Sequence, residues 1–301
     1  MCGLILLDKP EDITSFTAVN RVRRALNCKK AGHTGTLDPL ATGVLPILLG
    51  GATRFAQFLP SHRKAYLAGF KLGTTTTTLD ITGEVLTQQP VSVSHEQIAA
   101  ALAPFRGNIM QVPPMVSALK RDGKRLYELA RQGIEIEREP RPVEIFALEL
   151  VGDALYVECS AGTYVRSLID DLGRALGCGA CMTTLRRVAA NGFDIAQCTP
   201  LEDIADAPIL AIEDALASYP KVQVSAAQAV RFANGGHLRC SFVASLCPIK
   251  ENFDPIEGEL YRVFHEDIFL GLGRVQGEEL AIARLLVNHP ALARAPLHGG
   301  E

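Results

Sequence analysis

Leu4, Ile5, Leu6 and Leu7 form a continuous apolar run that stops at Asp8, which predicts a short buried strand. Thr14 and Ser15 then offer an N-cap. Phe16, Val19, Val22 and Leu26 follow three or four residues apart, predicting a helix that buries these four side chains. Tyr66 to Leu72 has strand character, and Ser94-His95-Glu96-Gln97 has the form of a capping box opening a helix through Leu102. A strand is predicted near Ala154 to Cys159. After it, a helix from Thr163 places Val165, Leu168, Ile169, Leu172 and Leu176 on one side and stops at Gly177. Residues 199–220, rich in Ala, Asp and Pro, read as a connector. From Lys221 to about Val287, short apolar stretches between turn residues predict a small β-rich domain.

The segment Ala31-Gly-His-Thr-Gly-Thr-Leu-Asp-Pro-Leu-Ala-Thr-Gly43 follows neither period. Its glycines permit close backbone approach to a ligand, and Pro39 pushes Asp38 out of the helical region, so the segment predicts a shaped loop presenting a carboxylate. By itself an Asp before Pro is more often a turn acid than a catalytic one.

Composition narrows the partners. With 48% hydrophobic and 21% charged residues among 301, the chain has the make-up of a globular protein with one large domain or two unequal ones. The net charge of −3 argues against a nucleic-acid partner only if charge is evenly spread, and it is not. Residues 1–71 hold ten Lys or Arg against four Asp or Glu, a local excess of six positive charges. Such a face suits phosphate contact, although Arg21, Arg23 and Arg24 are equally well explained as the solvated side of a helix. The same ambiguity holds for residues 117–142, where seven basic and five acidic side chains surround Tyr127.

Eight cysteines without a signal-peptide pattern predict reduced thiols, and no apolar run has membrane-spanning length. Cys178 and Cys181 lack the second ligand pair that a zinc site needs, and no dinucleotide fingerprint or Walker A sequence is present.

Five ordered blocks change the weight of these readings. The loop around Asp38 resembles the G-H-T-G-x-L-D-P-x-A-T-G pattern of the TruB-type tRNA pseudouridine synthases. Gly3 to Pro10 resembles that family's first strand and Lys-Pro turn. Arg63-Lys-Ala-Tyr66 with Leu72-Gly73 and Thr76 to Asp80 is similar to its tyrosine strand and following loop. Pro113 to Lys120, continuing to Arg131, looks like its RNA-gripping insertion, and Gly162 to Gly173 with Leu185-Arg186-Arg187 looks like the block supplying its arginine.

The resemblance implies an α+β fold. Residues 1–220 would form a catalytic domain with a mixed, largely antiparallel sheet, flanking helices and an RNA-gripping insertion at about 117–142. Residues 221–301 would form a small β-rich, PUA-like domain. It further implies that Asp38 is the nucleophile, that Arg166 pairs with it, and that Tyr66 stacks on the flipped base and removes the final proton. His33 would take the place of the flipped base, Tyr164 and Leu185 would line its pocket, and Lys9, Lys120, Lys124 and Arg125 would meet the RNA backbone. Without the family match, Arg166 would instead be assigned to Asp170, one turn along its helix. Thr77 departs from the pattern, since many members carry an acid there.

The implied activity is conversion of uridine to pseudouridine in the T-arm loop of tRNA. No cofactor or metal is expected, and tRNA is the expected partner of a cytoplasmic monomer of the stand-alone bacterial type. Two rival readings make different demands. A non-catalytic RNA-binding or remodelling protein would not need Asp38, and a glycoside hydrolase would need a second acid such as Asp80 or Asp170.

Overall fold

Apolar runs buried on both faces and alternating patterns both become strands, and the larger sheet they build surrounds the loop that carries Asp38. The computed structural model describes residues 1–60, 63–117, 119–121, 123–130, 132–241 and 256–286. In chain order the elements are β1 (Gly3–Lys9), α1 (Ser15–Ala25), β2 (Ala31–His33), β3 (Thr42–Leu49), β4 (Lys64–Leu72), β5 (Thr74–Thr76) and β6 (Val85–Gln88). Next come α2 (His95–Ala101), β7 (Gly107–Gln111), β8 (Lys120–Arg121), β9 (Lys124–Arg125), α3 (Leu126–Ala130), β10 (Arg141–Val151), β11 (Ala154–Cys159) and α4 (Val165–Ala175). β12 (Ala180–Ala190), β13 (Phe193–Asp194), β14 (Thr199–Pro200) and α5 (Ile212–Ala215) follow. The last are β15 (Lys221–Gln223), α6 (Ala226–Ala233), β16 (Leu238–Arg239), β17 (Leu260–His265), β18 (Ile268–Gln276) and β19 (Glu279–Leu285).

The main sheet runs β14-β1-β3-β12-β4-β11-β10-β7, with β2 beside β3 and β13 beside β12. Only the β1–β14 and β3–β12 pairings are parallel, so the sheet is mixed and largely antiparallel as expected. Central β4 and β12 pair over nearly their whole lengths and set Tyr66 directly opposite Arg187. One face is covered by α4, whose Val165, Leu168, Ile169 and Leu172 join the core with Val19 and Val22 of α1. α4 begins at Val165 rather than Thr163, with Tyr164 as its N-cap, and Gly177 lies just past its end at φ +72°.

α1 forms where the periodicity predicts, with Thr14 Oγ1 accepting from the Thr17 amide at 3.0 Å, but its face is rotated. Phe16 is 72% exposed and Ser15 takes the inner position. The cause is polar: the Leu37 amide donates to Ser15 Oγ at 2.8 Å, and that hydroxyl donates back to the Leu37 carbonyl at 3.0 Å. Apolar spacing alone does not reveal a buried hydroxyl with this task.

The hairpin β8–β9 pairs Lys120 with Arg125 and Arg121 with Lys124. The side chains of Lys120, Lys124 and Arg125 lie outside what is described. A second, five-stranded sheet runs β15-β17-β18-β19-β16 and packs on α6, a helix that the apolar pattern did not signal. Phe264, Phe269 and Leu272 of this sheet share an apolar cluster with Leu4 and Leu48 of the first and with Phe55 of the 3-10 helix after β3. Among the described residues no helix is long and apolar enough to cross a membrane.

Candidate active site around Asp38

The loop joining β2 to β3 spends its backbone polar groups on fixed partners, and this leaves the Asp38 carboxylate as its free chemistry. The Asp12 amide donates to the Pro39 carbonyl at 3.0 Å, Ala41 N–H to Asp38 O at 3.0 Å, and Thr34 N–H to Pro46 O at 3.2 Å. Thr34 Oγ1 also donates to Asn191 Oδ1 at 2.6 Å. Gly43 sits at φ +100°, and a Cβ there would lie 2.2 Å from the Arg187 carbonyl, so only glycine lets β3 approach β12 this closely.

Lys9 corrects the expectation that it meets RNA. It is fully buried, and its Nζ donates to the carbonyls of Pro10, Ile13 and Pro39 at 2.8, 2.7 and 3.2 Å, which occupies all three ammonium protons. Its task is to fasten the chain after β1 to the turn carrying Asp38. Burial pulls its pKa down to about 8, opposed by the charges of Asp38, Asp12 and Glu11. An unfolded chain therefore keeps this proton to higher pH than the folded one, and this residue adds stability as pH rises through 8 toward 10.5. Lys9→Met should cost about 1–3 kcal/mol by leaving carbonyls unpaired. It should leave the salt dependence of RNA binding unchanged; a shallower salt slope at unaltered stability would return Lys9 to the RNA surface.

Arg166 projects from the first turn of α4 with its side chain 4% exposed. Its Nη2 lies 2.8 Å from Asp38 Oδ2, and the same guanidinium donates to the carbonyls of Thr78 at 3.0 Å and Val116 at 2.9 Å. The competing assignment to Asp170 does not hold, because Arg174 takes that carboxylate at 2.6 Å. On the far side of Arg166, Asp80 Oδ2 is 3.7 Å away. Asp80 is presented by a tight turn in which Leu79 has φ +64°. Its Oδ1 accepts from Thr78 Oγ1, the Thr82 amide and Thr82 Oγ1 at 2.7, 3.0 and 2.5 Å. Thr77, at the departure from the family pattern, accepts the Glu84 amide at 3.1 Å. Arg166 thus bridges two carboxylates, holding the exposed one, Asp38, through Nη2 and facing Asp80 with Nη1. Asp80 and Asp170, the acids a hydrolase would recruit, are both committed to other partners.

Tyr66 is 7% exposed and stands directly opposite Arg187 across the β4–β12 pair. Burial pushes the phenol's pKa up, while Arg187 opposes the rise. His33 ends β2, with its Nδ1 buried and without a hydrogen-bond partner. Burial, and then the charge of Arg187, hold its pKa below the ordinary value, which favours a neutral ring. Tyr164 is half-buried and Leu185 is 8% exposed.

Three residues of this site had no role assigned from the sequence, although Lys64 and Arg187 lie within the matched blocks. Gln111, 2% exposed, uses both ends of its amide on Tyr164, accepting from its N–H at 2.7 Å and donating to its carbonyl at 3.0 Å. It thereby fixes the start of the helix that carries Arg166. Lys64 shares a strand face with Tyr66, and burial lowers its pKa. Arg187 is 1% exposed and was legible in principle, since Leu185 in, Arg186 out and Arg187 in is a strand alternation. Arg186 on the outer face pairs with Asp8 at 2.7 Å. Among the described residues no group of three or more His, Cys, Asp or Glu side chains could hold a metal ion, and Cys178 and Cys181 are buried free thiols.

Known proteins resemble this chain over most of its length. Residues 23–165 match the profile of the TruB family pseudouridylate synthase N-terminal domain. Residues 166–226 match the tRNA pseudouridylate synthase B C-terminal domain, and 220–286 match the pseudouridine synthase II TruB C-terminal profile. The chain is 46% identical to tRNA pseudouridine synthase B of Azoarcus sp. and 44% identical to that of Stutzerimonas stutzeri, each over 95% of both chains. It is 40% identical to the Escherichia coli O1:K1 protein of the same name over 96% of both. Among solved structures it superposes on a chain of a Cbf5-Nop10-Gar1 complex with a TM-score of 0.69 at 27% identity, covering 94% of this chain and 84% of that one. A chain in an H/ACA RNP bound to a substrate RNA containing 2'-deoxyuridine gives 0.68 at 26% identity, covering 95% and 85%. With the matches spanning both its sheets, the chain belongs to the TruB family of pseudouridylate synthases, which are isomerases.

Proposed function

We propose that this enzyme converts uridine to pseudouridine in the T-arm loop of tRNA, with Asp38 as the covalent nucleophile. The observation that carries the reading is the 2.8 Å pair of Asp38 and Arg166, in which a buried guanidinium orients the half-exposed carboxylate of a glycine-rich loop. The relatives named tRNA pseudouridine synthase B supply the substrate class.

The target uridine leaves the base stack, at a cost of a few kcal/mol, and enters the pocket bordered by Tyr66, Tyr164 and Leu185. His33, a neutral ring at the loop's entry, fills the space the base vacates. Asp38 forms a bond to the flipped nucleotide while the bond between N1 and C1' breaks. The base then turns and C5 bonds to C1'. Tyr66, once its own hydroxyl proton has passed to solvent, takes the C5 proton as a phenolate, N1 gains a proton from solvent, and the bond to Asp38 is released. Substrate and product have the same composition, so the balance needs no redox partner. The enzyme acts as a cytoplasmic monomer, and its second sheet forms a PUA-like domain that extends the RNA contact.

Incubating an unmodified tRNA transcript with the purified protein and mapping pseudouridine along the strand tests this reading. The T-loop uridine should be modified. Binding without any isomerised uridine would favour the remodelling protein, and modification confined to another arm would move the target.

The β8–β9 hairpin, basic at all four paired positions, is assigned to the RNA backbone. Replacing Lys120, Lys124 and Arg125 with Ala should weaken tRNA binding and flatten its salt dependence by up to about 0.7–0.9 log units per lost phosphate contact. Unchanged affinity with an unchanged slope would remove the hairpin from the interface.

A further inference from the structure

Arg187 has the largest fully buried side chain in the described chain, and the scheme above gives it no task. Its Nε donates to the Val44 carbonyl at 2.7 Å, Nη2 to Gly35 O at 3.2 Å and Nη1 to Thr36 O at 3.5 Å. These carbonyls flank Asp38 on both sides. The backbone of Arg187 lies opposite Gly43 in parallel register and opposite Tyr66 in antiparallel register. Directly opposed residues of an antiparallel pair project to the same face with Cβ atoms about 4.5–5.5 Å apart, so Tyr66 and Arg187 stand side by side.

A buried guanidinium ordinarily needs an anion or a full set of acceptors. Among the described residues no carboxylate pairs with Arg187; its hydrogen-bond partners are the Gly35 and Thr36 carbonyls of the loop and the Val44 carbonyl of β3, and Tyr66 stands beside it.

We propose that Arg187 is a positioning residue that locks the nucleophile loop to Tyr66 and holds the phenol oriented for proton removal. The inference rests on the reading of Tyr66 as the group that takes the C5 proton. The phenolate form that takes the proton is opposed by burial and by its neighbours Cys159 and Asp38, and favoured by Arg187. A guanidinium spanning both partners also fixes the distance between nucleophile and base, which a one-point ammonium cannot do.

The test is a double-mutant cycle with Tyr66→Phe, read as single-turnover pseudouridine formation alongside tRNA affinity. Tyr66→Phe alone should slow the reaction about 10²-fold, the usual scale for losing a proton-transfer group. Arg187→Lys should slow it about 30-fold in the wild-type background, with the dissociation constant for tRNA changed less than about twofold. In the Tyr66→Phe background the same substitution should cost less than about threefold, because the group it acts through is gone. A loss that multiplies equally in both backgrounds, or no loss from Arg187→Lys, would overturn the proposal while leaving the role of Tyr66 standing. Turnover of Tyr66→Phe at the wild-type rate would instead overturn the role of Tyr66 itself. Should Arg187→Lys fail to fold, the NMR resonances of the Arg187 guanidinium decide, compared between wild type and Tyr66→Phe. Loss of the hydroxyl should shift them, and unchanged resonances would refute the contact.

Discussion

Asp38→Asn is expected to bring pseudouridine formation below detection while tRNA binding stays within about threefold of wild type. The amide has nearly the shape of the carboxylate and can still accept from Arg166 Nη2, which sits 2.8 Å from Oδ2 in the native pair. It has no nucleophilic oxygen anion, and covalent catalysis fails without one. The substitution leaves Arg166 its other partners, the Thr78 and Val116 carbonyls and Asp80, so the loop should keep its form. Loss of chemistry without loss of binding is the signature that separates an enzyme from an RNA-binding protein. Gel-resolved single turnover on a transcript, with Asp38→Ala in parallel to control for deamidation of Asn, reads the outcome. Modification by Asp38→Asn at a rate near wild type would sink both the nucleophile and the covalent scheme. Hydrolysis of a small glycoside by the native protein, with tRNA untouched, would point to the hydrolase.

The breakdown of both periodicities across Ala31 to Gly43 marked a shaped loop, since a segment with three glycines and an Asp-Pro step neither coils nor alternates, but the family resemblance, not the spacing, singled out Asp38 within it. Arg166 and its pairing with Asp38 were legible through the resemblance of its block, but not from spacing. The spacing to Asp170 offered an equally good ion pair, and only the fold shows Arg174 already there. Sequence reading fails hardest where a polar side chain is buried to serve the backbone. Lys9 reads as a surface cation because lysine is rarely fully buried, yet its ammonium finds three carbonyls around a turn formed partly by Pro39, thirty residues away. Ser15 and Phe16 trade places for the same reason, a hydroxyl winning the inner position because Leu37 needs it. Gln111 is the extreme case: nothing in its surroundings in sequence announces that both ends of its amide are used on Tyr164, fifty-three residues on.

Arg166 should show the second large effect. Its guanidinium makes four contacts at once: Asp38 at 2.8 Å, Asp80 at 3.7 Å, and the carbonyls of Thr78 and Val116. An ammonium at this position keeps the positive charge but cannot reach opposed partners, so Arg166→Lys separates charge from geometry. Placement errors of about 1 Å cost on the order of 10²-fold in rate, and Arg166→Lys should lose about that much. Arg166→Leu removes the charge as well, leaving the buried Asp80 carboxylate with its threonine donors alone and Asp38 unoriented, and should lose about 10³-fold or more. The Val116 contact adds a second consequence, because that residue lies just before the insertion assigned to RNA and Ser167 also donates to the Val112 carbonyl at 3.0 Å. Both variants should therefore weaken tRNA binding several-fold as well as slow the chemistry, unlike Asp38→Asn. Single-turnover rates and filter-binding affinities for the three proteins distinguish the cases. If Arg166→Lys matched wild type in rate, the pair would be structural, and orientation of Asp38 would have to come from Lys9, Ser15 and Arg187 acting on its loop.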